Sequence, residues 1–228
     1  MVGVSGNHMN SEGLAQTAQT FGILRQLARR QPRNVEHCEL CSVVLRSEHP
    51  HLVALPPRRL LCACDACALL FTGREGAKFK LVPRDVRRLI DFEMTDSEWD
   101  GLLIPINLAF FLKSSSDSRV MALYPSPAGA TESLLPLETW NSIVATNPVL
   151  YGLRPDVEAL LVNRVGHARR DSPAEYYLAP IDSCYRLVGL IRLHWHGLSG
   201  GEPVWREIGA FFTELRSKAE IVSREAHA

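Results

Sequence analysis

The sequence predicts an α+β protein in two parts, and two observations lead to this fold class. Cysteine pairs with two-residue spacers stand at 38/41 and 64/67, among short β-type runs. From residue 104 onward, strand-length apolar runs come first and two amphipathic helices come last. We therefore expect an N-terminal zinc-ribbon-like module with four cysteine ligands, followed by a mixed or antiparallel sheet covered by helices. The expected boundaries are 1–35 for a tail and amphipathic helix, 36–82 for the module and 83–228 for the α+β domain.

The N-terminal tail is expected to end in one amphipathic helix. Ser11 and Glu12 suit its first turn, an apolar stripe runs from Leu14 to Ala28, and Pro32 predicts its end. The stripe needs an apolar partner, which we expect to be the second domain of this chain, with another protein as the alternative.

The cysteine module is expected to be built from short strands. Residues 42–45 and 79–82 are mainly apolar runs of strand length, and 52–55 and 60–62 flank a turn that contains Pro56 and Pro57. Strands this short, carrying two cysteine knuckles, are typical of a zinc ribbon.

The α+β domain is expected to begin with a helix over residues 84–92, because Pro83 suits a first helical position. Thr95 and Glu98 then predict a capping box, and the segment 124–132 predicts a proline- and glycine-rich loop. The remaining predicted elements are strands at 108–112, 120–124, 157–162 and 176–180, a helix at 136–146, a helix from Asp182 or Ser183 to Gly197, and a last helix with Pro203 in its first turn.

Cys38, Cys41, Cys64 and Cys67 are the expected ligands of a structural Zn²⁺ ion. Zinc accepts four thiolates in a tetrahedron, and a two-residue spacer turns both sulfurs of a pair toward one ion. The pairs are separated by 22 residues, close to the usual spacing of such sites.

Cys62 complicates this assignment. On a strand, Cys62 and Cys64 point to the same side, so Cys62 either replaces Cys64 or lies next to the ligands without binding. A set of three cysteines and one of the nearby histidines is a further alternative, although each histidine taken singly is expected on a loop surface. These histidines are His37, His49 and His51.

Iron is the chemical rival of zinc at these cysteines. Glycine and proline usually surround the knuckles of a rubredoxin-type iron site, so that backbone amides approach the sulfurs. The segments CELCSV and CDACAL contain neither residue, and iron is therefore expected less than zinc, although thiolates also suit iron–sulfur clusters.

Composition excludes several classes of function. No apolar run reaches the roughly eighteen residues of a membrane span, and the N-terminus lacks signal-peptide features, so we expect a cytoplasmic protein.

Residues 1–90 carry 13 basic and 7 acidic side chains, against 12 and 18 in residues 91–228. We expect the basic groups to face solvent or pair with the acidic half, and we do not expect nucleic acid as a partner.

No catalytic constellation is readable. Walker, Rossmann, GxSxG, HExxH and EF-hand patterns are absent from the sequence. Cys184 is expected to be a buried thiol. The segment from His194 to Glu202 is expected to be a turn between helices with Trp195 in the core, and whether it forms a ligand pocket is left open.

Four further segments carry a family resemblance: ALYPSPAGATES at 122–133, NPVLYGLRPDVEALLVNR at 147–164, YYLAPIDSCYRLVGLIRLHW at 176–195 and LSGGEPVWREIGAFF at 198–212. They resemble an uncharacterised bacterial family whose genes lie beside those of actinobacterial-type nickel-iron hydrogenases. The resemblance implies a non-catalytic accessory role and a protein partner, possible partners being hydrogenase subunits or maturation factors. An iron-binding electron-transfer protein and a nucleic-acid-binding zinc ribbon are the alternatives.

Overall fold

The computed structural model describes residues 35–74, 76–134, 136–167, 173–197 and 199–223. The helix expected in the N-terminal tail lies outside the described residues. In chain order, the described elements are β1 (His51–Ala54), β2 (Arg59–Cys62), α1 (Asp65–Phe71), β3 (Phe79–Leu81), β4 (Arg87–Leu89), α2 (Asp96–Gly101), β5 (Leu108–Ser114), β6 (Arg119–Ser126), β7 (Gly129–Ser133), α3 (Leu137–Thr146), a 3₁₀ helix (Pro148–Gly152), β8 (Glu158–Asn163), β9 (Glu175–Pro180), α4 (Ile181–His194), α5 (Gly201–Lys218) and β10 (Glu220–Val222).

Two sheets organise the described residues. The smaller sheet has the order β2-β1-β3, is antiparallel throughout, and follows the first cysteine pair. The larger sheet has the order β10-β4-β9-β8-β5-β6-β7, and only its β10-β4 pair is parallel. The predicted α+β class with a mixed, mainly antiparallel sheet is confirmed.

Both faces of the seven-stranded sheet are buried, which explains the almost uninterrupted apolar sequence of β5. Successive strand residues point to opposite faces. Phe110 and Leu112 pack in the cluster that contains the buried residues of α4 and α5. Ala109 and Phe111 pack in the cluster of α2 and α3, where the Phe111 ring stacks on Trp140 with centroids 5.1 Å apart.

The helix expected over residues 84–92 does not form, and β4 occupies Arg87–Leu89 instead. Its backbone pairs antiparallel with β9 and parallel with β10. The guanidinium groups of Arg87 and Arg88 lie 2.8 and 3.7 Å from buried carboxylates. Pairing with strands that are distant in sequence thus outweighs the local helical pattern.

The loop expected over residues 124–132 is a hairpin. β6 continues to Ser126 and pairs with β7, with the register running from Ala122↔Ser133 to Ser126↔Gly129. Pro125 is tolerated in β6 because the pairing of β6 with β5 ends at Leu123, so no ladder on that side needs its missing N–H.

Several local predictions are confirmed. At Thr95, the N–H of Glu98 donates to the threonine Oγ1 at 3.1 Å, and the Glu98 carboxylate accepts from the threonine N–H at 2.8 Å. The four strands expected at 108–112, 120–124, 157–162 and 176–180 appear as β5, β6, β8 and β9. The expected strand at 42–45 contributes only the isolated bridge between His37 and Val44.

A buried carboxylate joins the small sheet to the large one. Asp156 is 0% exposed and accepts a hydrogen bond from the Lys80 ammonium, on β3, at 2.6 Å. It also accepts from the Ser115 N–H at 2.9 Å, and Arg58 lies 3.7 Å away in the β1–β2 turn. Burial raises the pKa of Asp156, but the hydrogen bonds from Lys80 and Ser115 outweigh burial and lower it.

We expect Asp156→Asn to cost about 3 kcal/mol of unfolding free energy at pH 7, because it leaves the Lys80 charge without its partner. A depressed carboxyl pKa stabilises the fold above the unfolded value near 3.9, and that contribution disappears as the pH falls through the folded pKa. The unfolding free energy of wild type, measured with denaturant, should therefore fall more steeply below about pH 4 than that of the variant. The matched control is Asp100→Asn, which changes an exposed carboxylate in α2. It should change neither the unfolding free energy at pH 7 nor its dependence on pH. Equal behaviour of both variants would contradict the role of Asp156.

Candidate metal centre

The four cysteines predicted as ligands lie together. One sulfur from each of Cys38, Cys41, Cys64 and Cys67 falls within 4.8 Å of the others. The Sγ atoms of Cys41 and Cys64 are 3.7 Å apart. Cys38 and Cys67 are buried, whereas Cys41 faces solvent, so the cluster lies at the surface with its inner side in the small core of the module.

The first pair is held by a tight turn. The Ser42 N–H donates to the Cys38 carbonyl at 2.7 Å, and the Cys38 N–H donates to the Val43 carbonyl at 2.8 Å. Ser42 adopts a left-handed conformation with φ of 62°, a region that glycine adopts at no steric cost. The turn therefore forms without the glycine that the sequence lacks at this position.

The second pair lies at the start of a helix that the sequence interpretation missed. Cys64 is the N-cap residue of α1, and its sulfur accepts a hydrogen bond from the Cys67 N–H at 3.4 Å. One turn of helix separates the two residues, so both side chains reach the same side. Cys64 at an N-cap position and Asp65 in the first turn were the available signals for this helix.

Electrostatics favour the Cys38 thiolate and oppose ionisation of Cys41 and Cys67, whose pKa values are raised. Desolvation raises the pKa of Cys38, but the backbone N–H groups of Cys64, Leu40 and Cys41 together lower it to about 6. Burial, and hydrogen bonds that the Cys67 thiol donates to the neighbouring cysteines, raise the pKa of Cys67 to about 12. A bound cation is what allows closely packed thiols to ionise together, since a metal deprotonates the thiols that coordinate it. The arrangement therefore suits a metal ion.

Backbone amides approach the sulfurs despite the missing glycines and prolines. The N–H groups of Leu40, Cys41 and Cys64 stabilise the Cys38 thiolate, and that of Val43 interacts with the Cys41 sulfur. Iron was expected less than zinc because glycine and proline are missing from the knuckles, and that order of preference stays a prediction. The donor set consequently fits zinc and iron alike.

Cys62 lies outside the four-cysteine cluster and groups with His49 and His51 instead. Its backbone N–H donates to the Glu39 carboxylate at 2.9 Å. Burial, followed by the negative charges of Glu36 and Glu39, raises the pKa of the Cys62 thiol. His37 is exposed and belongs to neither group.

The segment between the last two helices borders a cleft of about 990 Å³. Trp195 and Trp205 line the cleft, with ring centroids 6.4 Å apart, whereas neither His194 nor His196 is among its described lining residues. Gly200 is required at the turn, because it has φ of 85° and an added Cβ would lie 2.7 Å from a Val204 methyl group.

Cys184 is a fully buried thiol on α4, as predicted. Its burial raises its pKa. It lies in the main core cluster and is therefore separate from the module's metal chemistry.

Residues 37–219 match the family described as Family of unknown function (DUF5947). The chain belongs to this family. The match includes all four clustered cysteines, the small sheet and the seven-stranded sheet up to its last edge strand. No curated protein and no solved structure matches the chain. In the part of the chain that the structure describes, no helix combines the length and apolar character needed to cross a membrane.

We expect Cys38→Ser to abolish tight metal binding by the four-cysteine cluster, because it removes the best-stabilised thiolate. Metal-linked folding is on the order of 10 kcal/mol in small zinc modules, so the module should also lose thermal stability. Anaerobic Co²⁺ titration monitored by thiolate-to-metal absorption measures the binding, and calorimetry measures the stability.

The matched control for this prediction is Cys184→Ala. It removes the buried thiol that lies outside the cluster, so it should leave the Co²⁺ affinity unchanged while costing about 1–2 kcal/mol of core packing. Unaltered Co²⁺ absorption in the Cys38→Ser variant would show that Cys38 is not a ligand.

Proposed function

We propose that this chain is a non-catalytic, zinc-binding accessory protein that assists the assembly or regulation of a nickel-iron hydrogenase through protein–protein contacts. The observation that carries the proposal is a set of exposed apolar side chains that follow the two cysteine pairs along the chain. We call this set the apolar rim; its members are Val43, Val44, Leu69, Leu70 and Phe71.

The apolar rim follows both cysteine pairs along the chain. Val43 and Val44 come directly after the first pair, and Leu69 to Phe71 end the helix that begins at the second pair. Leu69 is 82% exposed and Val44 is 59% exposed. Single exposed apolar residues are ordinary, but a group of them beside one structural site is typical of a surface that binds another protein.

The set of four cysteine ligands agrees with a structural role for the metal. Four thiolates complete a tetrahedral shell around zinc and leave no position for a substrate. The metal then fixes the knuckle turn and the start of α1, and thereby the two segments that carry the apolar rim.

Four of the described arginines support a protein partner more than a nucleic acid. Arg58, Arg59, Arg87 and Arg88 each lie within ion-pairing distance of a carboxylate. Nucleic-acid affinity depends on cations that are available to phosphates, and these four arginines already pair with carboxylates of the same chain.

Hydrogenase as the partner rests on the resemblance of the four segments between residues 122 and 212 to the family encoded beside actinobacterial-type nickel-iron hydrogenases. The proposal therefore joins two independent supports. The apolar rim supports a protein partner, and the resemblance supports which protein it is.

We expect the chain to co-purify with tagged hydrogenase subunits, and the double variant Leu69→Gln/Leu70→Gln to bind at least tenfold more weakly. Each leucine buried in a contact contributes about 1.5 kcal/mol or more, and a tenfold change corresponds to about 1.4 kcal/mol. Leu193→Gln, an equally apolar and 74% exposed side chain on α4, is the control and should bind as wild type does. Normal hydrogenase maturation and activity in a deletion strain would refute the proposal.

A second candidate function is electron transfer through iron held by the same cysteines. The observation in its favour is the hydrogen bond that the Cys67 N–H donates to the Cys64 sulfur at 3.4 Å. Hydrogen bonds to ligand sulfurs are one of the means by which proteins set the potential of iron–sulfur centres.

Metal analysis separates the two candidates. If zinc is the native metal, anaerobically purified protein contains stoichiometric zinc and has no visible absorption. Stoichiometric iron with thiolate-to-iron absorption bands that bleach on reduction would replace the zinc proposal with the electron-transfer function.

A further inference from the structure

A second group of metal-type side chains lies in the module, apart from the four cysteines. One ring nitrogen of His49, one of His51 and the Cys62 sulfur lie within 4.8 Å of one another. The strand register explains the grouping. His51 is directly opposite Cys62 in the β1–β2 pair, and His49 precedes His51 by two residues, so all three side chains share one face.

The buried His49 side chain has one ring nitrogen that forms no hydrogen bond with any described residue. Its side chain is 7% exposed, and its Nδ1 lies 3.0 Å from the Arg46 carbonyl, to which it donates. The Nε2 atom is buried, and no described residue forms a hydrogen bond with it. A buried polar atom without a partner costs about 1–3 kcal/mol, so a ligand at Nε2 is the physical explanation that this position requires.

His51 is oriented by a carboxylate. Its Nδ1 lies 2.7 Å from the Asp182 Oδ2, in the first turn of α4. Donation from Nδ1 to a carboxylate leaves the lone pair on Nε2, and this pattern of carboxylate, histidine and metal is found around most histidine ligands. The His49–Arg46 contact is the carbonyl version of the same arrangement.

Ring packing alone does not account for the group. The rings of His49 and His51 meet edge to face, with centroids 4.9 Å apart and an interplanar angle of 79°. This contact explains why the rings lie together. It does not explain the unpaired Nε2 of His49, or why a thiol from the opposite strand completes the group.

We propose that His49, His51 and Cys62 bind a second transition-metal ion of borderline softness, of which Zn²⁺ is the representative, through the two Nε2 atoms and the Cys62 sulfur. Binding displaces the Cys62 thiol proton to solvent. Imidazole and thiolate are the ligands that such ions prefer. This inference goes beyond the proposed function and does not rest on it.

Three ligands distinguish this site from the four-cysteine cluster. Zinc is four-coordinate in most protein sites, and sites with three protein ligands keep one position for water or an exogenous ligand. Within the ranges that the structure describes, the group has three members. The second ion would therefore accept an external ligand, whereas the four-cysteine cluster would not.

The site also lies where the module meets the larger sheet. Its ligands are on or beside β1 and β2, and the carboxylate that orients His51 is on α4, 131 residues further along the chain. Metal binding would thus stabilise the contact between the module and the helix layer.

Anaerobic Co²⁺ titration of the metal-stripped full-length chain tests the inference. We expect wild type to bind two Co²⁺ ions and Cys62→Ala to bind one, with the absorption of the four-thiolate site retained. His37→Gln, which changes an exposed histidine outside the group, is the matched control and should bind two. One ion bound by wild type, or two bound by Cys62→Ala, would overturn the proposal.

Two further measurements keep the test independent of misfolding and of the first site. Asp182→Asn should weaken the second Co²⁺ affinity about 10–100-fold and leave the first affinity unchanged; no change at the second site would contradict the role of Asp182. In fully ¹¹³Cd-loaded wild type, NMR should show one four-sulfur signal and one signal of a site with one sulfur and two nitrogens. A single four-sulfur signal would overturn the second site while leaving the first, and with it the proposed function, intact.

Discussion

The N-terminal module depends on one constraint, which is that its four cysteine thiols are packed too closely to ionise together without a cation. Their sulfurs lie within 4.8 Å of one another, and the pKa of Cys38 is lowered, while the pKa values of Cys41 and Cys67 are raised. A cation removes this constraint because it stabilises all four thiolates at once. The strands are short and the helix has seven residues, so a bound metal would stabilise the local structure.

The module is also fixed from the other side, by the seven-stranded sheet. Val53 of β1 belongs to the same buried cluster as the sheet and helices α4 and α5. Two carboxylates of the larger part, Asp156 and Asp182, accept hydrogen bonds from Lys80 and His51 of the module. A metal at His49, His51 and Cys62 would add to this contact, because Asp182 orients one of its ligands.

The two candidate sites differ in what their chemistry permits. A closed shell of four thiolates stabilises structure and positions the apolar rim, which suits a protein that acts by binding another protein. A site with three ligands and one open position can exchange an external ligand. If both are occupied, the module combines a structural centre at its surface with a centre that keeps one open coordination position at its contact with α4. Family membership does not favour one centre over the other as the functional one, because the function of the family is unknown.

The spacing of residues along the chain determined much of the local structure of this protein. The cysteine pairs, the capping box at Thr95, four strands of the large sheet and the last two helices depend on residues that are neighbours in sequence, so the sequence alone predicts them. Only the tertiary structure decided that residues 87–89 form a strand, because its partners are β9 and β10. The group of His49, His51 and Cys62 likewise depends on the β1–β2 register and on a carboxylate 131 residues away, and a linear pattern cannot specify contacts between segments so far apart.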